Sequence, residues 1–260
     1  MSLGVMRRWL VVPTLALVGA LVLPAALMLA RVSVCEPMRG GGFYRAGSFS
    51  LEAYWRLLSV DGANLIGFTV VFAVAVALGV VVLAWVVTWP MRDWRGGWLL
   101  GGMLLLAAPR LAGILGPLVV LKRLVGQGVL AAWLAEVYLI TPYAGLALLI
   151  HLQGVDWGVL RTARGLGATR WQALRRVGIP LGLPGIWLAG QLAMGWGLGA
   201  FLGPELLGEP QHRTLASDLH HQAFDNSRWP VAAAEGVVLL ALASGVLAAR
   251  PPRIFLGAKA

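Results

Sequence analysis

The chain has 260 residues, of which 59% are hydrophobic and only 12% charged, and it carries 34 glycines, 12 tryptophans and a formal net charge of +10. A composition this apolar excludes an ordinary soluble domain and reads as an integral membrane protein. The single cysteine, Cys35, excludes an internal disulfide and is expected as a free thiol.

Apolar runs of about 20 residues, enough to cross ~30 Å of hydrocarbon, recur at 9–30, 63–88, 98–121, 129–150, 181–203 and 231–249. The expected fold is therefore an all-α membrane protein with six transmembrane helices, forming one domain over 1–260. Arg7 and Arg8 precede the first run as they would in a signal peptide. That run is longer than an h-region, and Met28 and Ala30 make no small-x-small cleavage site, so it is expected as an uncleaved span. Residues 31–62 hold a Gly-rich piece (39–42) and an amphipathic piece (51–58) suited to a helix on the membrane surface. Loops 89–97 and 122–128 are short, 151–180 is basic, and 204–229 is the last large loop. No internal repeat is evident, so the inverted-repeat signature of many secondary transporters is missing from the sequence.

The charge follows this partition. With the N-terminus inside, the inner segments hold Arg7, Arg8, Arg92, Arg95, Arg161, Arg164, Arg170, Arg175, Arg176, Arg250, Arg253 and Lys259 against only Asp93 and Asp156, while the outer segments are nearly balanced. Basic loops stay on the cytoplasmic side, so both termini are expected there.

The most polar inner stretch is RTARGLGATRWQALRRVGIPLGLPGI, residues 161–186. Asp156 suits the start of a helix from Trp157, along which Leu160, Ala163 and Leu166 recur at helical spacing. Gly167 allows a sharp reversal. Thr169 then caps a second short helix with Trp171, Leu174 and Val177 on one face, and Pro180 is expected to end it before the fifth span. A basic loop that only enforces topology and touches anionic lipid would need neither the glycine nor the caps. A motif tethered to spans at both ends is poorly placed to enter a DNA groove, so no nucleic acid is expected. Docking into a groove of a soluble partner accounts for both shape and charge.

These residues resemble a family. Leu160 to Thr169, then Trp171, Gln172, Ala173, Leu174, Arg175, Arg176, Val177, Ile179, Pro180, Leu181, Pro184 and Gly185, look like the EAA loop of importer permeases of the ATP-binding cassette class. Residues 49–54 are similar to that family's outer segment before the second span. Residues 199–208 with Gln222, Phe224, Trp229 and Pro230 are similar to its spermidine and putrescine subgroup, which also includes permeases for aminoethylphosphonate. Where the family motif begins Glu-Ala-Ala, this chain has Arg161-Thr162-Ala163, and its fourth span carries Glu136 where the family usually has a small residue.

The resemblance implies the type I importer permease fold, with coupling helices between spans 4 and 5 (coupling loop 153–180). It implies a solute-binding protein outside, a second permease of different sequence, and two ATPase subunits inside that bind ATP and Mg, with no cofactor in this chain. Asp156, Arg161, Ala163, Gly167, Ala168, Trp171, Arg175, Arg176 and Pro180 are the expected ATPase-coupling residues. No P-loop or hydrolytic constellation occurs in the sequence, so the chain is expected to be a transport subunit and no enzyme. The subgroup implies a polyamine as solute.

For the substrate path the candidates are Glu136, Tyr138 and Arg110. A carboxylate within a span needs a watery cavity or a partner; Glu136 either offers a counter-charge to a passing cation or pairs with Arg110, and the residues leave both open. Tyr138 would add a ring face. A relay of Glu136, Arg110 and His151 would instead suit a proton-coupled secondary transporter, against which the coupling-loop resemblance counts. His220 and His221, with Asp218 and His212 nearby, could suggest a metal site, but the loop resembles an ordinary outer loop of the family and no metal is expected. His151 is expected at the membrane interface, and Glu235 lies close enough to a span end to reach water.

Overall fold

The computed structural model describes residues 3–38, 43–45, 47–94, 113 and 115–250. Its elements are helices: α1 (Leu3–Ser33), α2 (Glu52–Leu58), α3 (Val60–Met91), α4 (Leu115–Val125), α5 (Val129–Gln153), α6 (Gly158–Gly165), α7 (Arg170–Leu198), α8 (Leu202–Leu207), α9 (Leu215–His220) and α10 (Trp229–Ala248). Four of them, α3, α5, α7 and α10, are each long and apolar enough to cross a membrane. The run at 98–121 lies mostly outside the described residues; its described end is α4. The chain divides into two compact units, 1–64 with 218–241 and 65–217 with 242–260.

In the larger unit the sequence pattern of α3 sets the packing. Phe72, Val76, Val80 and Ala84 recur at four-residue spacing and are buried, whereas Val71, Leu78, Val82 and Val86 on the other face are exposed and suited to lipid. The buried stripe meets Ala132, Val137, Ile140, Ala144, Leu148 and Leu152 of α5 and Ala189 and Ala193 of α7. Small residues let the helices approach closely, as is usual in membranes. A Cβ at Gly197 would lie 2.8 Å from the Ala73 Cα, and one at Gly182 would lie 2.5 Å from the Trp85 ring.

Two expectations need correction here. Pro180 does not end the second coupling helix: Arg170 to Leu198 run on as one helix, with a π-helical turn, Leu174–Gly178, one residue before the proline. Proline removes one donor and crowds the preceding turn, and the wider π turn takes up that crowding while Ile179 N–H still reaches Leu174 O. The fifth span also stops short of 203. Helix α7 ends at Leu198, and α8 starts only after Gly199, Ala200 and Phe201.

In the smaller unit, α2 buries Ala53 and Leu57 and leaves Trp55 and Leu58 exposed. Tyr54 and Ser33 hydroxyls meet at 2.7 Å, and Ser50 N–H donates to Val34 O. The region 204–229 is more ordered than a loop: beyond α8 it contains α9 and a π-helical turn, His221–Asp225. Gln222 donates to Asp218, which also faces Arg56 at 3.9 Å.

Candidate functional site: the coupling loop and its supports

Helix α6 starts where Asp156 Oδ1 accepts the Gly158 N–H at 2.8 Å, one residue later than the sequence suggests. It ends in a Schellman arrangement. Ala168 N–H reaches back to Ala163 O and Gly167 N–H to Arg164 O, with Gly167 at φ +92°. Thr169 and Gln172 then form a reciprocal capping box, Gln172 N–H to Thr169 Oγ1 and Thr169 N–H to Gln172 Oε1. The expected reversal and second cap are therefore present.

Helix α6, unlike the loop's base, is poorly packed. No residue of α6 is buried; Leu166 is 84% and Trp171 64% exposed, Arg161, Arg164, Arg175, Arg176 and Pro180 are exposed, and Ala163 and Ala168 are half-buried. Leu166 and Trp171 are thus large apolar side chains held out on a capped turn.

The base of the loop is braced from α3, which sequence reasoning missed. Trp85 and Trp89 stack at 4.9 Å, Trp157 meets Trp89 edge-on at 5.2 Å, and its Nε1 donates to Leu152 O. The Arg92 guanidinium lies 4.1 Å over the Trp89 ring and pairs with Asp93. The only signal in the sequence is the four-residue spacing of Trp85 and Trp89, which places both on one helix face. Between residues 92–94 and 153–164 opens a cleft of about 930 Å³.

A second constellation surrounds Glu136, which is 1% exposed. Gly203 N–H donates to its Oε1 at 2.8 Å and Trp196 Nε1 to its Oε2 at 2.7 Å, so both oxygens serve as acceptors within the chain. Thr214 Oγ1 donates to Ala200 O, and Leu215 N–H donates to Thr69 Oγ1. Side chains thus satisfy backbone groups at the break between α7 and α8, the Ala200 O and the Gly203 N–H. Tyr138 is half-buried, and two residues along a helix its side chain leaves α5 in a different direction from Glu136. Arg110, the other candidate, lies outside the described residues. His151 does more than sit at an interface: its ring faces Leu181 O at 3.2 Å and leaves no room for a Cβ at Gly185. His221 pairs with Asp225 and His212 with Glu209. Glu235 is buried rather than reaching water.

The chain is similar to known proteins in sequence and in fold. The spermidine/putrescine transport system permease protein PotB of Escherichia coli (strain K12) is 30% identical over 103 residues, 40% of this chain and 38% of that one. The protein of the same name from Haemophilus influenzae is 29% identical over 113 residues, 44% of this chain and 40% of that one. The chain therefore matches well under half the length of these relatives. In fold it is similar to the crystal structure of a bacterial ABC transporter involved in the import of the acidic polysaccharide alginate, with a TM-score of 0.62 and 14% identity over 98% of this chain and 100% of that one. A second structure, the alginate transporter in complex with an alginate pentasaccharide-bound periplasmic protein, also gives 0.62, at 16% identity over 94% of each chain. Residues 91–250, which contain the coupling loop and Glu136, match the family of the binding-protein-dependent transport system inner membrane component, and the chain belongs to that family.

Proposed function

We propose that this transport subunit is the permease of an ATP-binding-cassette importer and that it lines the path of a small solute delivered by a binding protein. The observation that carries the reading is the α6–Gly167–α7 turn, doubly capped and without one buried residue in α6. A rigid projection of this kind suits a lever gripped by an ATPase, whose closure on ATP and Mg would shift the spans between two global states. Asp156, Arg161, Ala163, Gly167, Ala168, Trp171, Arg175, Arg176 and Pro180 form or border that lever, on the cytoplasmic side with both termini. A polyamine such as putrescine or spermidine is the proposed solute, supported by the partial likeness to the PotB proteins. Aminoethylphosphonate is the alternative.

The test is reconstitution in vesicles with the ATPase pair, the second permease and the binding protein. Putrescine uptake that needs ATP and survives an uncoupler is expected. Uptake by this chain alone, driven by a proton gradient, would overturn the importer in favour of a secondary transporter.

A further inference from the structure

The cleft beneath α6 joins two segments far apart in sequence. One is the end of α3, with Arg92, Asp93 and Trp94; the other runs from Gln153 through Trp157 to Arg161 and Arg164. Its charges are not equivalent. Asp93 is taken up by Arg92, and Asp156 accepts from the backbone at Gly158, so each acid already has a use inside the chain. Arg161 and Arg164 stand three apart on one face of α6, both are exposed, and among the described residues no carboxylate pairs with either. Arg92 is held by its stack on Trp89 and its bond to Trp89 O, and its Nε is buried without a partner. Three guanidinium groups, one held in place and two exposed, therefore border a polar cleft about 930 Å³ in size.

We propose that this cleft is the receptor for a carboxylate-bearing segment of the ATPase partner, with Arg161 and Arg164 as its charge contacts and the fixed Arg92 as its floor. The inference rests on the importer reading above and adds the chemistry of the contact. Guanidinium forks match carboxylates bidentately, and a cleft with spare positive charge on its rim both steers and registers an acidic partner. Trp157 and Leu160 in its lining, both half-buried, supply the apolar area that exposed ion pairs alone do not. Because the positive end of the contact comes from two segments, docking would also hold the end of α3 against α6.

The experiment is co-purification of the full permease complex with its co-expressed ATPase at ~50 mM and ~300 mM salt. The wild-type chain is compared with Arg161→Glu/Arg164→Glu and with Arg161→Gln/Arg164→Gln. Expected are a wild-type complex that weakens with salt, since exposed pairs are screened over ~8–10 Å, and roughly tenfold weaker assembly for the Glu variant at low salt, with the Gln variant between them. Size-exclusion of each variant with the second permease checks folding; should the Glu variant fail it, the Gln variant and the wild-type salt response still decide. Unchanged or stronger assembly of the Glu variant, or a wild-type complex indifferent to salt, overturns the proposal while leaving the importer reading in place. Loss of assembly that anionic vesicles of phosphatidylglycerol restore would assign the cleft to lipid headgroups and overturn it as well. A wild-type chain that captures no ATPase at all would overturn the importer reading itself.

Discussion

Glu136 and Gly203, 67 residues apart in sequence, are joined at 2.8 Å by a hydrogen bond from the Gly203 N–H to the Glu136 carboxyl. The bond closes the start of α8 onto α5, and a second closure, Gly128 N–H to Leu207 O at 2.7 Å, fixes the other end of α8. A charged-type side chain inside a span is costly unless it has partners. Here it has two, Trp196 in the last turn of α7 and Gly203 in the first turn of α8, one on each side of the break.

Replacing this carboxyl should therefore cost stability before it costs selectivity. Glu136→Gln keeps one acceptor oxygen and turns an amide donor toward either the Gly203 N–H or the Trp196 indole. Leaving one buried donor unsatisfied costs about 1–3 kcal/mol, so the variant should melt several degrees lower in detergent, and Trp196→Phe should reproduce part of the loss. A variant as stable as the wild type that no longer transports a polyamine would make Glu136 a substrate contact instead. Recovery of stability on adding Arg110→Gln would reveal a pair with Arg110.

Gly203→Ala tests the same closure from the other side. A Cβ at this position would stand 2.6 Å from the Ala132 O and 3.0 Å from Glu136. The first neighbour is backbone of α5 and cannot turn aside, so α8 must lift away and the carboxyl must lose its bond. We expect a loss of about 1–3 kcal/mol, the usual range for overpacking, read as a lowered melting temperature. Gly195→Ala, which meets no atom of the described residues within 4 Å, serves as the control and should be near neutral.

Which features were legible in the sequence follows from how local their causes are. The Gly167 reversal and the Thr169–Gln172 box are made by residues within a few positions of one another, and both are where their spacing puts them. Pro180 misleads because its usual effect is cancelled by a π turn, a backbone adjustment that leaves no compositional trace. The partners of Glu136 were illegible for a different reason. Trp196 is 60 positions away and the other donor is a backbone amide, a group every residue but proline carries. Burial of α3 along one stripe could be read from periodicity only weakly, because the lipid-facing stripe is just as apolar.

The tryptophan brace gives a third prediction. Trp89→Ala removes the stack with Trp85, the edge contact with Trp157 and the platform under Arg92 at once, and it opens space beside Gly178, whose Cβ position lies 2.8 Å from the Trp89 ring. The base of α6 should then be held loosely while its own caps stay intact. ATP hydrolysis by the reconstituted importer should persist, with fewer solute molecules moved per ATP, whereas Trp89→Phe keeps a ring and should retain most of the ratio. An unchanged ratio in Trp89→Ala would remove the brace from the coupling path.

Gly167 separates strain from steric fit. At φ +92° an L-residue is strained, yet among the described residues a side chain here would meet no atom within 4 Å. The cost inside the subunit is thus a backbone cost of about 1 kcal/mol, smaller for asparagine, which visits positive φ more readily. Gly167→Asn, Gly167→Ala and Gly167→Asp should all reach the membrane and purify with near-wild-type melting temperatures. Coupling is less forgiving, because a lever misplaced by about 1 Å can cost about a hundredfold in rate. Stimulation of ATP hydrolysis by the binding protein should therefore fall in the order Gly, Asn, Ala, as the strain rises. Gly167→Asp adds a side chain and a negative charge where the partner must seat, so it should lose both stimulation and uptake while the subunit stays folded. Normal uptake in Gly167→Asp would show that the turn does not enter the ATPase groove, and early melting of all three variants would make the glycine a folding requirement alone.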